Sequence, residues 1–328
     1  MTIWLVTGAT GFIGRYVVRR LVNEKDARVR VLVRRPEMLD QDTRATVEVI
    51  RGDIRDARAL GRAVQGADTV LHLAAFAQAW SRDPSAFVET NVNAVQRLLE
   101  LATAYNVRKL VHVSTILTLP PFRAAGVNGR AARPTDYEST KLAGERLVEA
   151  YARTGRDAVI VHPTRVYGPG PLSDANAVTR AVALYLRGLL RVRLADGDAL
   201  ANYAYVDDVA AGILLAARQG RAGAHYVLGG EDASFRQFLY LVSEIAGRSR
   251  HVTALPPRLG LVLATGAEWW GRLGGRPALT PGWVRVFLED RRADLTAAHQ
   301  DLGYGPRGLR PGLTETIHWL RTMAMVPV

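Results

Sequence analysis

Short apolar runs alternate with helix-period segments over the first half of the chain. Ile3-Trp4-Leu5-Val6 reads as a buried strand, Thr7 to Gly14 as a glycine-rich turn, and Ile13, Val17, Val18 and Leu21 recur at helical spacing behind it. Val29 to Val33, Val47 to Ile50, Thr69 to Leu73, Leu110 to Val113 and Ala158 to Val161 continue the strand series. Helices are expected from Ala57 to Val64, from Pro84 through Ala104 and from Tyr137 to Ala152. Strands separated by helices predict an α/β fold, a Rossmann-type doubly wound parallel sheet.

After Gly168 the rhythm breaks at Pro169-Gly170-Pro171, and only short strand candidates such as Ala224 to Leu228 follow. Val206 to Ala217 reads as a helix returning to the sheet. The expected division is a sheet domain of residues 1–165 plus about 206–222, and a smaller, mostly helical carboxy-terminal lobe of about 166–205 plus 223–328. A substrate cleft is expected between them. Pro120 to Pro134, rich in Pro, Gly, Ala and Arg, reads as a surface loop.

Composition narrows the classes. The 328 residues include no cysteine, which excludes disulfides, thiolate catalysis and cysteine-held metals. No uncharged apolar run approaches the ~20 residues of a membrane-spanning helix, and no signal peptide is visible, so a cytoplasmic protein is expected. The net charge is +12, and lysine occurs only at 25, 109 and 141, so arginine carries nearly all of it. Those arginines are spread through every expected helix rather than clustered with aromatics, so no nucleic-acid role is expected. An anionic cofactor or substrate, drawn by long-range steering, accounts for part of the excess.

The first turn is where chemistry begins. A strand, a glycine turn and a helix form the context of a dinucleotide fingerprint, with Gly8, Gly11 and Gly14 serving turn, close approach and packing. The helix start that follows faces phosphate with free N–H groups. The position about twenty residues past Gly14, where an acid would hold the adenosine ribose, carries Arg34 with Arg35 beside it. Guanidinium forks bind a 2′-phosphate, so NADP(H) is expected over NAD(H), with NAD(H) open. Tyr137 and Lys141 stand one helical turn apart, and an ammonium near a phenol lowers its pKa toward a usable acid/base range. Ser114-Thr115 closes the fifth strand at the sheet edge where open α/β sheets bind ligands.

These landmarks together resemble the extended short-chain dehydrogenases/reductases, the NAD(P)-dependent epimerase/dehydratase family, closest to dihydroflavonol reductases and 3β-hydroxysteroid dehydrogenases. They are TGATGFIG at 7–14, Asp53-Ile54, HLAA at 72–75, Asn91-Val92-Asn93, Val113-Ser114-Thr115 and Tyr137-Glu138-Ser139-Thr140-Lys141. His162 through Gly170 and Tyr205-Val206-Asp207-Asp208-Val209 complete the series.

The resemblance implies Tyr137 as catalytic acid/base, Lys141 tuning it and holding the nicotinamide ribose, and Thr115 binding the substrate oxygen. It implies Gly8, Thr10, Gly11, Phe12, Ile13 and Gly14 around the pyrophosphate and Asp53 and Ile54 at the adenine. Leu73, Ala74 and Ala75 lie beside the cofactor in this picture, with Asn91, Val113, Ser114 and Pro163 nearer the nicotinamide. In sugar-nucleotide members an asparagine before VYG and an arginine before Val-Asp-Asp contact the diphosphate; Arg165 and Ala201 stand there in this chain. The expected activity is therefore NADP(H)-linked reduction of a ketone or aldehyde, or oxidation of the corresponding alcohol. A nucleotide-sugar 4-epimerase or dehydratase with tightly held NAD(P) is the alternative.

Smaller features carry structural expectations. His72 is expected to be a satisfied strand-end residue, and Asp207 and Asp208 to cap or anchor the returning helix. Trp269-Trp270 with Leu259, Leu261, Val262 and Leu263 fits lobe core, or a lid over an apolar substrate. His162, His225, His251, His299 and His318 show no ligand spacing, so no metal is expected. Leu142, Leu147 and Val148 suit either core packing or a homodimer through the crossover helices.

Overall fold

The computed structural model describes residues 1–78, 80–122, 134–194, 199–273, 275, 277 and 279–327. The expected surface loop from Pro120 to Pro134 therefore lies largely outside the described residues. The chain runs β1 (Thr2–Thr7), α1 (Phe12–Val22), β2 (Ala27–Val33), α2 (Gln41–Thr46), β3 (Glu48–Arg51), α3 (Ala57–Val64) and β4 (Thr69–His72). It continues through α4 (Ser85–Val88), α5 (Ala94–Ala104), β5 (Lys109–Val113), α6 (Asp136–Arg153) and β6 (Ala158–Pro163). Then follow β7 (Arg165–Tyr167), α7 (Ala177–Leu186), β8 (Val192–Leu194), β9 (Leu200–Tyr205), α8 (Val206–Gln219), β10 (His225–Leu228) and β11 (Glu231–Ser234). The last elements are α9 (Phe235–Ala246), β12 (Thr253–Leu255), α10 (Pro257–Arg272), α11 (Pro281–Leu288), α12 (Thr296–Leu302) and α13 (Leu309–Thr322).

Seven strands form one parallel sheet in the order β10-β6-β5-β4-β1-β2-β3. Strand residues point alternately to its two faces, and helices cover both, so the strands read as continuous apolar runs. Leu5, Val70, Leu110 and Ile160 meet α3, α5 and α6 on one side; Val6, Leu71, Val111 and Val159 meet α1 and α8 on the other. Val148 is part of that first core.

Two outcomes differ from the sequence reading. His225–Leu228 is the seventh strand of the main sheet, not a lobe element, and α12 packs its Ala298 and Leu302 into the same core. Residues 225–228 thus move from the lobe of 223–328 to the sheet, because the short run HYVL pairs in register with β6. The crossover from Pro84 to Ala104 is also not one regular helix. A π turn over Glu89–Asn93 separates α4 from α5. Asn91 sits in it, donating to Thr140 Oγ1 at 3.1 Å and accepting from Phe76 N at 2.8 Å.

The lobe has its own core. Tyr167, Tyr203 and Tyr205 from the small sheet β11-β9-β7 pack against Phe238 of α9 and Leu313 and Ile317 of α13. Asp207 and Asp208 anchor α8 as expected, through ion pairs to Arg20 at 2.8 Å and to Arg307 at 3.0 Å.

Candidate active site

Strand order reverses at β1, which lies between β2 and β4, so a crevice opens above their carboxyl ends. The glycine turn fills that position with bare backbone. Gly8 has φ +74°, and a Cβ on it would sit 2.7 Å from Ala74 N. A Cβ on Gly14 would sit 2.1 Å from Gly8 O. Gly11 N donates to Gly8 O at 2.9 Å, closing the turn, and Gly11 leads α1 without any side chain capping its first N–H groups. That uncapped helix start is the donor set a pyrophosphate requires, so the residues present fit a dinucleotide.

The surrounding expected residues fall into two groups. Leu73, Ala74 and Ala75 follow β4 against the turn: Leu73 N donates to Thr7 O at 3.2 Å and Ala74 N to Thr7 Oγ1 at 3.3 Å. Phe12 is buried, and its ring lies against Gly170. Ile13 packs on the core while Thr10 O holds Arg15 Nε at 3.1 Å. Arg34 and Arg35 leave β2 exposed at the same sheet edge. Asp53 is 3.8 Å from Arg34 and 2.9 Å from Arg55, whose guanidinium holds its carboxyl below the usual range. Ile54 beside it is buried. Asn91 ties the loop after β4 to α6, and Pro163 ends β6 in the buried interior.

Tyr137 and Lys141 occupy the first turns of α6, started by a reciprocal Thr135–Glu138 cap. Burial pushes the Tyr137 phenol up to about 12, with the Thr115 side chain opposing the rise and Glu145 adding to it. The sequence reading expected the neighbouring ammonium to lower that value. Lys141 instead turns inward, donating to Val113 O at 2.8 Å and to His112 Nε2 at 3.2 Å. An ammonium has donors only, so His112 accepts through Nε2 and carries its proton on Nδ1. Lys141 is buried, and desolvation lowers its pKa to about 8 against the pull of Glu145.

The hydroxyl pair after β5 therefore divides. Thr115 faces the phenol, whereas Ser114 donates to the buried carboxylate of Glu145. Sequence reasoning missed that carboxylate and what lies behind it. His162 Nδ1 is 3.7 Å from Glu145 Oε1 and 3.2 Å from Thr115 O, and His162 Nε2 meets His225 Nδ1 at 3.0 Å. Glu145, His162 and His225 bring ligand-type atoms within 4.8 Å of one another, a cluster hidden by its wide sequence separation. The histidine nitrogens are engaged with each other and with Thr115 O. His72 is satisfied on one side only: Thr7 Oγ1 lies 2.8 Å from Nδ1, while Nε2 has no hydrogen-bond partner.

A second missed set clamps the site from the lobe. Arg285 of α11 bridges the buried carboxylates of Glu138 and Glu289. Arg291 bonds Glu289 Oε2 at 2.7 Å and donates to Leu119 O at 3.0 Å. The residue after Tyr137 and the loop after Thr115 are thus gripped by one ion network.

Sheet order and glycine turn are those of a dinucleotide-binding fold, and the sequence profile of the NAD dependent epimerase/dehydratase family matches residues 4–229. The chain belongs to that family of NAD-dependent enzymes. It is 29% identical to sterol demethylase protein B of Methylococcus capsulatus over 98% of this chain and 99% of that protein. Ceramide reductase of Caulobacter vibrioides is 30% identical over 98% of this chain and 95% of its own length. The crystal structure of UDP-glucose 4-epimerase from Thermotoga maritima superposes with a TM-score of 0.77 at 26% identity, covering 98% of this chain and 100% of that one.

Proposed function

We propose that the chain is an NADP(H)-dependent reductase of an apolar ketone or aldehyde, with Tyr137 as proton donor. The placement of Thr115 just after β5 and of Tyr137 in the first turn of α6, close enough for the Thr115 hydroxyl to act on the phenol, carries the reading. Bound at the glycine turn, the dinucleotide supplies a hydride for the carbonyl carbon. Thr115 and Tyr137 hold the carbonyl oxygen, and Tyr137 gives it a proton as negative charge develops there. A phenol held near 12 remains protonated at neutral pH, which suits a proton donor. Lys141 fixes the end of β5, donating to Val113 O beside the Ser114-Thr115 pair. Arg34 at the end of β2 supports the 2′-phosphate preference.

The substrate class rests on what stands at the two diphosphate positions. Ala201 is buried in β9 and offers no charge. Arg165 is committed elsewhere, donating to Val286 O at 3.3 Å with its guanidinium over the Tyr203 and Phe287 rings. The apolar substrates named for the sterol and ceramide relatives agree with this. The likeness to UDP-glucose 4-epimerase favours a second reading, a nucleotide-sugar epimerase or dehydratase. Purified protein offered NADPH with aryl, steroid and long-chain ketones separates the two. Net NADPH oxidation supports reduction; stoichiometric bound NAD with 4-keto-sugar turnover and no net oxidation supports the second reading.

A further inference from the structure

Helix α10 is built inside out. Its inward positions are small: Gly260 meets Leu194, Ala264 is fully buried against α11, and Gly271 meets Trp80 and Pro277. Its large apolar residues face outward. Leu259, Val262, Leu263, Trp269, Trp270 and Leu273 are all exposed, Trp269 at 64% and Leu273 at 80%. At 3.6 residues per turn these positions share one arc of about 120°. Scattered exposed leucines need no explanation, but a continuous stripe carrying two adjacent tryptophans does.

The charge around the stripe is mainly basic, with Glu268 on α10 paired to Arg272 at 3.4 Å. From Glu244 to Glu268 the chain has no other acid but holds Arg248, Arg250, His251 and Arg258. Strand β12 pairs with β8, which brings Arg191 and Arg193 alongside, with Arg187 before them. Arg250 lies within 3.7 Å of where a Cβ on Gly188 would stand. Arg258 borders the apolar arc, where a long basic side chain can reach headgroups while the stripe enters the acyl boundary. Leu189 and Val192 are exposed as well.

We infer that α10 is an interfacial helix that lays the protein on an anionic lipid bilayer. Its length of 16 residues is too short to span, and no helix among the described residues is long and apolar enough to do so. Tryptophans at the acyl boundary and arginines at phosphate are the pattern of a helix lying in the membrane plane. The inference is independent of the reaction proposed above, and its test needs no substrate.

The test is co-sedimentation of the full chain with vesicles of phosphatidylcholine alone or with phosphatidylglycerol added. Binding to the anionic vesicles is expected, at least tenfold stronger than to neutral ones. It is expected to weaken at least tenfold in Trp269→Ser/Trp270→Ser and severalfold in Arg248→Ala/Arg258→Ala, with unchanged circular dichroism and melting for each variant. Failure to bind either vesicle overturns the inference. So does binding that the tryptophan variant leaves intact, which would be diffuse attraction of a +12 protein. So does concentration-dependent dimerisation lost in that variant.

Discussion

Arg285, on a lobe helix, and Glu138, the neighbour of the proposed proton donor, form a buried ion pair. Both are nearly inaccessible, and Glu138 also accepts from Thr135 N at 2.7 Å, so one carboxylate starts α6 and receives the lobe. The position of Tyr137 is therefore set from two directions at once.

Arg285→Met is expected to leave Arg291 as the one guanidinium shared by the buried carboxylates of Glu138 and Glu289, costing about 3 kcal/mol. Urea unfolding measures this. A loss below about 1 kcal/mol would mean that the network contributes little to docking the lobe.

Gly14→Ala tests the cradle separately from the chemistry. Its Cβ would lie 2.1 Å from Gly8 O, so the turn must open. Strain of about 1–3 kcal/mol at such a contact is expected to weaken NADPH binding at least tenfold by fluorescence titration, with the fold retained. Unchanged affinity would place the dinucleotide elsewhere.

Arg34→Ala is expected to raise the KM for NADPH about 10- to 100-fold, the worth of a charge-assisted bond of about 1.5–3 kcal/mol, and to leave NADH kinetics alone. Equal effects on both cofactors would leave the Asp53 ion pair as the role of Arg34.

Stability is expected to fall on mild acidification. Burial holds His72 down to about 3 and His112 well below its ordinary value, so both stay neutral in the folded chain. Above about pH 6.5 the unfolded chain is neutral there too, and these groups confer no dependence. Below it the unfolded chain binds protons the fold refuses, and stability drops by about 1.4 kcal/mol per pH unit for each ring. For His72 this continues until pH approaches about 3. Urea midpoints between pH 6.5 and 4.5 isolate this window from carboxylate titration, and His72→Gln is expected to flatten the slope. A flat profile in the parent chain would contradict the buried neutral assignment.

Local pattern made the sheet legible, because each parallel strand is an apolar run and each crossover has helical period. The glycine turn and the Tyr137–Lys141 spacing were legible for the same reason: their geometry is set within a few residues. Glu145 beneath Ser114, the His162–His225 contact and the Arg285–Glu138 pair were not, since they join segments 31, 63 and 147 residues apart. The assignment of His225–Leu228 to the main sheet was missed because four residues carry too little period to reveal their partner. The inward turn of Lys141 was missed because spacing fixes which helix face a side chain occupies, and not which acceptor it finds.

The most direct measurement is single-turnover NADPH oxidation with an accepted ketone, comparing the parent chain with Tyr137→Phe. Loss of the proton donor is expected to slow hydride transfer by about 10²- to 10⁴-fold while NADPH affinity stays within a factor of about two. A Tyr137→Phe enzyme that oxidises NADPH at the parent rate would contradict the assignment of this phenol as the acid.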